Sequence, residues 1–183
     1  MKKMILAALA VSCALPAMAQ NFYAGASVGR SEQKLNTTGM SISDNDTGFK
    51  VFGGYQFTPV IGVEAGYAQF GEASVSGGGA TATAKPKSFY GAVTGTVPLT
   101  NEISLFGKLG AARTRTTVTA SYLGTTESAK QNETSLLVGL GASYALNEKV
   151  SLVAEYENFG KVAKGDGDSL KVDQFSVGAR FKF

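Results

Sequence analysis

Six charged side chains of this 183-residue chain sit inside otherwise apolar runs. Lys50 lies between Phe49 and Val51, Glu64 between Val63 and Ala65, Lys108 between Gly107 and Leu109, and Glu155 between Ala154 and Tyr156. Arg180 and Lys182 alternate with Ala179, Phe181 and Phe183 at the end of the chain. Two chemistries are open to such a set. The carboxylates and cations can pair away from water, or Glu64 and Glu155 can form a carboxylate pair for proton transfer. The second is disfavoured, because an adjacent Lys108 engages both carboxylates instead of setting one apart as an acid. Histidine, the commonest general base and metal ligand, is absent. The one cysteine, Cys13, lies in an N-terminal leader. The chain is therefore not expected to be an enzyme, and no cofactor or metal is expected.

Extended strands must position these charges. In Phe175-Ser-Val-Gly-Ala-Arg-Phe-Lys-Phe183 the apolar residues fall at every second position, and small or charged residues fall between them. That period places apolar groups on one face and polar groups on the other. A strand with aromatic residues outward and Arg180 and Lys182 inward suits a barrel in lipid with a polar lumen. The same parity turns Lys50, Glu64, Lys108 and Glu155 inward. Lys50, Lys108 and Glu155 then lie at similar heights, with Glu64 slightly lower. A lysine or arginine facing mid-bilayer would instead cost roughly 2–4 kcal/mol.

Residues 1–19 read as a cleaved secretory signal. Lys2 and Lys3 precede the apolar run from Met4 to Leu15, and Ala17-Met-Ala19 forms the small-x-small cleavage site before Gln20. That run is shorter than the roughly 20 residues a membrane helix needs. Lipid attachment at Cys13 is weakly supported, since Ala10 stands where such sites carry leucine. Residues 20–183 then form one domain that is nearly neutral, so charge gives no support to nucleic-acid binding.

Turn signals at Thr58-Pro59, Pro98-Leu-Thr-Asn101 and Asn147-Glu-Lys149 alternate with polar segments near 31–46, 71–87, 117–132 and 160–169. Three tight turns and four loops need eight strands, expected at 22–30, 47–57, 60–70, 88–97, 102–116, 133–146, 150–159 and 170–183. Such lengths match the ~9–11 residues that cross a bilayer on a tilted path. The fold class is all-β: an eight-stranded antiparallel up-and-down transmembrane β-barrel. Tyr55, Tyr144 and Phe183 near the tight-turn rim, and Tyr67 and Tyr156 near the opposite one, read as aromatic girdles. Arg113, Arg115, Lys85, Lys87, Lys161 and Lys164 lie where strands leave the outer leaflet, as candidate contacts to lipopolysaccharide phosphates. Asp44-Asn-Asp46 and Gly165-Asp-Gly-Asp168 have calcium-like composition, but neither completes a calcium loop.

Phe52-Gly-Gly-Tyr-Gln56, a proline turn and Gly62-Val-Glu-Ala-Gly-Tyr67 resemble the second and third strands of the outer membrane protein A transmembrane-domain family. Pro98-Leu-Thr-Asn-Glu-Ile-Ser-Leu-Phe-Gly-Lys-Leu-Gly110 and the terminal Phe-x-Val-Gly-Ala-Arg-Phe-Lys-Phe resemble its later strands. The resemblance implies a monomer in a Gram-negative outer membrane, in contact with lipid and lipopolysaccharide. It also implies assembly by the barrel machinery through the C-terminal strand. Because the sequence stops at Phe183, the periplasmic peptidoglycan-binding domain of that family is not expected, and small opacity-like surface proteins are the nearer comparison. The barrels of this kind that modify lipid A rely on histidine with serine, which this chain lacks. The resulting expectation is a structural or surface-interaction barrel that displays four loops, to a host or surface ligand by resemblance only, with a lumen closed by charge. The alternative is a small passive pore for ions or small solutes, gated by those charges.

Overall fold

A computed structural model describes residues 21–37, 40–77, 80–122, 125–164 and 169–183. Over 33–37, 40–45, 73–77, 80–82, 118, 120–122, 125–129, 161–164 and 169–170 it describes the backbone alone. The leader at 1–19 and the Gly165–Asp168 motif lie outside the described residues.

The chain forms β1 (Phe22–Thr37), β2 (Met40–Gln56), β3 (Ile61–Gln69), β4 (Ala73–Gly77), β5 (Ala80–Pro98), β6 (Ile103–Tyr122), β7 (Thr125–Ala145), β8 (Val150–Lys164) and β9 (Ser169–Lys182). All pairings are antiparallel and join sequence neighbours, except that β3 and β4 both pair with β5 rather than with each other, and β1 pairs with β9 from Tyr23↔Lys182 to Asn36↔Ser169. β3 pairs with both β2 and β5, so the sheet closes on itself. β4 follows β3 along the same partner, β5, and the nine segments make an eight-stranded closed barrel. Closure removes the sheet edges that lipid could not satisfy.

The three tight turns share one device. A side-chain oxygen at the turn's start accepts two backbone N–H groups that strand pairing leaves over. Thr58 Oγ1 accepts from Val60 at 3.3 Å and Ile61 at 2.9 Å. Thr100 Oγ1 accepts from Glu102 at 3.2 Å and Ile103 at 2.9 Å. Asn147 Oδ1 accepts from Lys149 and Val150, both at 2.9 Å.

The opposite end differs from the sequence-based expectation. The segments expected as loops are largely paired strand: β6 has 20 residues and β7 has 21, far more than a bilayer requires. Their pairing runs from Ile103↔Tyr144 to Tyr122↔Thr125. Serine and threonine continue a hairpin readily once its register is set, but outside lipid no apolar face is needed, so the alternation that marks a strand is lost. β8 changes register with β9 between Asn158 and Ala163, beside Gly160, whose φ of 66° is a left-handed conformation. Gly71, at φ 80°, makes the corresponding break between β3 and β4.

Face parity is clear between the rims. Val51, Val63, Val93, Leu109, Leu140 and Val177 are exposed on the outer wall, while Phe52, Glu64, Ala92, Lys108 and Ser176 are buried in the lumen. The core of this protein is thus the lumen, and it contains both rings and charges.

Candidate functional site

Each central charge projects from a strand position flanked by small residues. Glu64 stands between Gly54 and Ala92, Lys108 between Thr94 and Gly139, Lys50 between Ser27 and Ala68, and Glu155 between Gly141 and Ser176. An eight-stranded barrel has room only for side chains, so large residues must alternate with small ones around each level. Gly141 shows how tight this is, since a Cβ there would meet the Phe106 ring at 2.5 Å.

The charges converge on the axis. Lys108 Nζ donates to Glu64 Oε1 at 2.6 Å, to Glu155 Oε2 at 2.6 Å and to Glu157 Oε1 at 3.2 Å. Lys50 Nζ donates to Glu155 Oε2 at 2.5 Å and also to Glu157 Oε2. Tyr90 OH donates to Glu64 Oε1 at 2.8 Å, and Tyr23 OH to Glu64 Oε2 at 3.1 Å. Arg180 reaches Glu64 at 3.8 Å. Its guanidinium lies 4.5 Å from the Tyr23 ring centroid and 5.0 Å from that of Phe106. Lys50, Lys108 and Arg180 balance Glu64, Glu155 and Glu157, so the cluster carries no formal net charge. Both lysines and all three glutamates are buried.

Aromatic layers lie above and below. Phe70 and Phe159 are fully buried with ring centroids 4.6 Å apart, and Tyr90 sits 6.1 Å from Phe159. Toward the tight turns, Tyr23 and Phe52 meet at 6.5 Å beneath the charges. The arrangement can lock the barrel by mutual neutralisation, and a carboxylate already engaged by several donors is poorly placed to take a proton from a substrate.

Of the six charges singled out from sequence, the structure joins Lys50, Glu64, Lys108 and Glu155 directly and sets Arg180 at their edge. It does not bring in Lys182, which is exposed at the tight-turn rim opposite Tyr23. Strand parity gives a residue's face but not its depth. Sequence reasoning missed Glu157, which shares the parity of Glu155, and it missed the inward tyrosines Tyr23 and Tyr90. Parity on β8 was enough to find Glu157.

Of the aromatic residues singled out, Tyr55 packs against Phe22 at 4.7 Å and Phe57 at 5.1 Å at the tight-turn end, where Phe183 meets Phe181 at 5.3 Å. Tyr67 packs against Phe89 at 4.9 Å at the other end, where Tyr156 faces Phe175 across the strands. Tyr144 is exposed opposite Leu152. Arg113, Arg115, Lys85 and Lys87 are exposed on the outer wall, and Lys85 forms an ion pair with Glu72. For Lys161 and Lys164 only the backbone is described, paired with Lys171 and Ser169. Asp46 lies three residues beyond Phe49 and outside the apolar belt. The Glu72 N–H at 2.6 Å, and then the Thr47 N–H at 2.7 Å, hold its carboxyl below the ordinary value of 3.8.

Residues 17–183 match the family model described as the OmpA-like transmembrane domain. Outer membrane protein A of Salmonella typhi is 25% identical over 171 residues, covering 88% of this chain and 48% of that protein. The Escherichia fergusonii protein of the same name is 24% identical over the same shares. The chain thus spans about half the length of these relatives. Among solved structures, the attachment invasion locus protein Ail of Yersinia pestis superposes with a TM-score of 0.62 at 24% identity, covering 89% of this chain and 99% of that one. Neisserial surface protein A gives 0.63 at 20% identity, covering 88% and 97%. OprG of Pseudomonas aeruginosa gives 0.59 at 18% identity, covering 89% and 96%. These likenesses are of fold.

Proposed function

The chain belongs to the OmpA-like transmembrane domain family, and from that premise we propose that it is a closed outer-membrane barrel acting at its outer face. The observation that carries the reading is the filled lumen. Five buried ionic side chains engage one another at mid-height, and the Phe70–Phe159 pair covers them. A hydrated conduit would have to displace both layers. The barrel supports the membrane and presents its four outer hairpins above it to a surface or host ligand. It is not an enzyme. It reaches the membrane by way of a cleaved leader at residues 1–19, is inserted by the assembly machinery through its C-terminal strand, and works as a monomer in contact with lipid and lipopolysaccharide.

A second reading, the passive pore, is favoured by one observation. Ser27 Oγ, Ser176 Oγ and both amide atoms of Gln174 are buried on the β9–β1 wall without a protein hydrogen-bond partner, as is Glu155 Oε1 beside them. Buried polar groups in that state take water. Single-channel recording of the refolded protein in a planar bilayer separates the two. The closed reading expects no steady openings from the wild type, and openings only when Glu155→Ala breaks the cluster. Steady wild-type openings that the substitution alters would replace it with the pore.

A further inference from the structure

One charged surface outside the lumen has cations set against each other. β5 and β6 run side by side through the outer aromatic belt, with Phe89 opposite Arg113 and Lys87 opposite Arg115. These four face outward, because the residues alternating with them, Ser88, Tyr90, Ala112 and Thr114, are buried in the lumen. Arg115 is oriented by donation from Nε to Asn132 Oδ1 on β7, at 3.1 Å. Lys85, one step further out, is already engaged by Glu72 and is not part of the set. Like charges directly opposite one another on an antiparallel pair are destabilising. An anion held between Lys87 and Arg115 reverses that sign. Arg113 lies two residues along β6, about 7 Å away, which suits a second anionic group on the same molecule.

The surface directly beneath is apolar. Phe89 is 67% exposed, Leu109 58% and Leu136 63%, in the belt that faces the acyl region. Between them Gly91 stands opposite Ala111, and nothing lies within 4 Å of where a Cβ on Gly91 would be. The occupant therefore has acidic groups at one level and hydrocarbon at the next. A soluble polyanion would match only the upper half.

We infer that Lys87, Arg113 and Arg115 bind the phosphates of an outer-leaflet lipid carrying more than one phosphate, with its acyl chains against Phe89, Leu109 and Leu136. This rests on the reading of the chain as a membrane barrel, and it is independent of whether the lumen conducts. It selects three of the six candidate cations named from sequence, and the partner is a phosphorylated saccharolipid.

The test refolds the full chain into phosphatidylcholine nanodiscs doped with bisphosphorylated lipid A and counts retained lipid A by native mass spectrometry. Wild type and Lys85→Gln should retain it, whereas Lys87→Gln/Arg113→Gln/Arg115→Gln should lose about a hundredfold in apparent affinity. Fully dephosphorylated lipid A should not be retained. Heat-dependent gel mobility checks that each variant is folded. Should the triple variant fail that check, Lys87→Gln and Arg115→Gln singly should each lose about tenfold. Equal retention by the variants, or equal retention of the dephosphorylated lipid, overturns the site. So does binding of a soluble heparin fragment through the same residues without lipid A. A wild-type protein that shows no heat shift overturns the barrel reading itself.

Discussion

Lys108 links the three carboxylates, since among the described residues it is the one that donates to all of Glu64, Glu155 and Glu157. Removing one member of a buried ionic set leaves its partners uncompensated, which costs more than the pairing was worth. Lys108→Met should therefore destabilise the folded barrel by about 3–5 kcal/mol in urea unfolding. Adding Glu64→Gln to that variant should recover part of the loss, because the two sites are coupled. A single-variant loss under 1 kcal/mol would mean that the lumen is hydrated and the charges solvated. These residues were largely legible in the sequence, because a charge between two apolar neighbours on a strand has only one affordable direction in lipid. Tyr23 and Tyr90 were not legible as lumen residues, since a tyrosine near a rim serves equally well in an interfacial belt. Only the register, which brings their hydroxyls to Glu64, distinguishes the two roles.

Elements become harder to read once they leave the bilayer. Between the rims, lipid on one side and a tight lumen on the other impose strict alternation. Beyond them no lipid demands an apolar face, so the paired backbone of β5, β6 and β7 carries a loop-like sequence. What fixes these extensions is specific contact, seen best where β2 meets the β3–β4 break. There Asp46 accepts the Glu72 N–H, and Ser31 Oγ donates to the carbonyls of Asp46 and Phe70. The folded-state pKa of Asp46 is depressed, so its contribution is fully present above the ordinary value of 3.8 and is lost as pH falls through the lower folded value. The Glu72 amide proton shift, followed by NMR in micelles during acidification, should titrate with a midpoint below 3.8 and stop titrating in Asp46→Asn. A midpoint at or above that value would show that the join is not held by this carboxylate.

At the scale of the whole molecule, the apolar belt and the lumen are two faces of one wall, and depth in the membrane is the coordinate that separates a membrane barrel from a soluble one. On β6 the belt runs from Ile103 at the tight-turn rim to Arg113 at the outer rim, which places Leu109 near its middle; both Ile103 and Leu109 are exposed. In a soluble barrel two exposed positions accept arginine equally, at little cost. In a bilayer the cost follows depth, about 2–4 kcal/mol at the midplane and about 0–1 near an interface. Leu109→Arg should therefore destabilise the protein refolded in vesicles by several times as much as Ile103→Arg. The difference should shrink in short-chain detergent micelles, where water approaches the belt. Equal costs in vesicles would mean that no hydrocarbon covers Leu109, and the outward valines and leucines would then need another partner. A graded cost would place the hydrocarbon midplane level with Lys108, one residue away on the inner face, and so fix the depth at which the charged cluster closes the barrel.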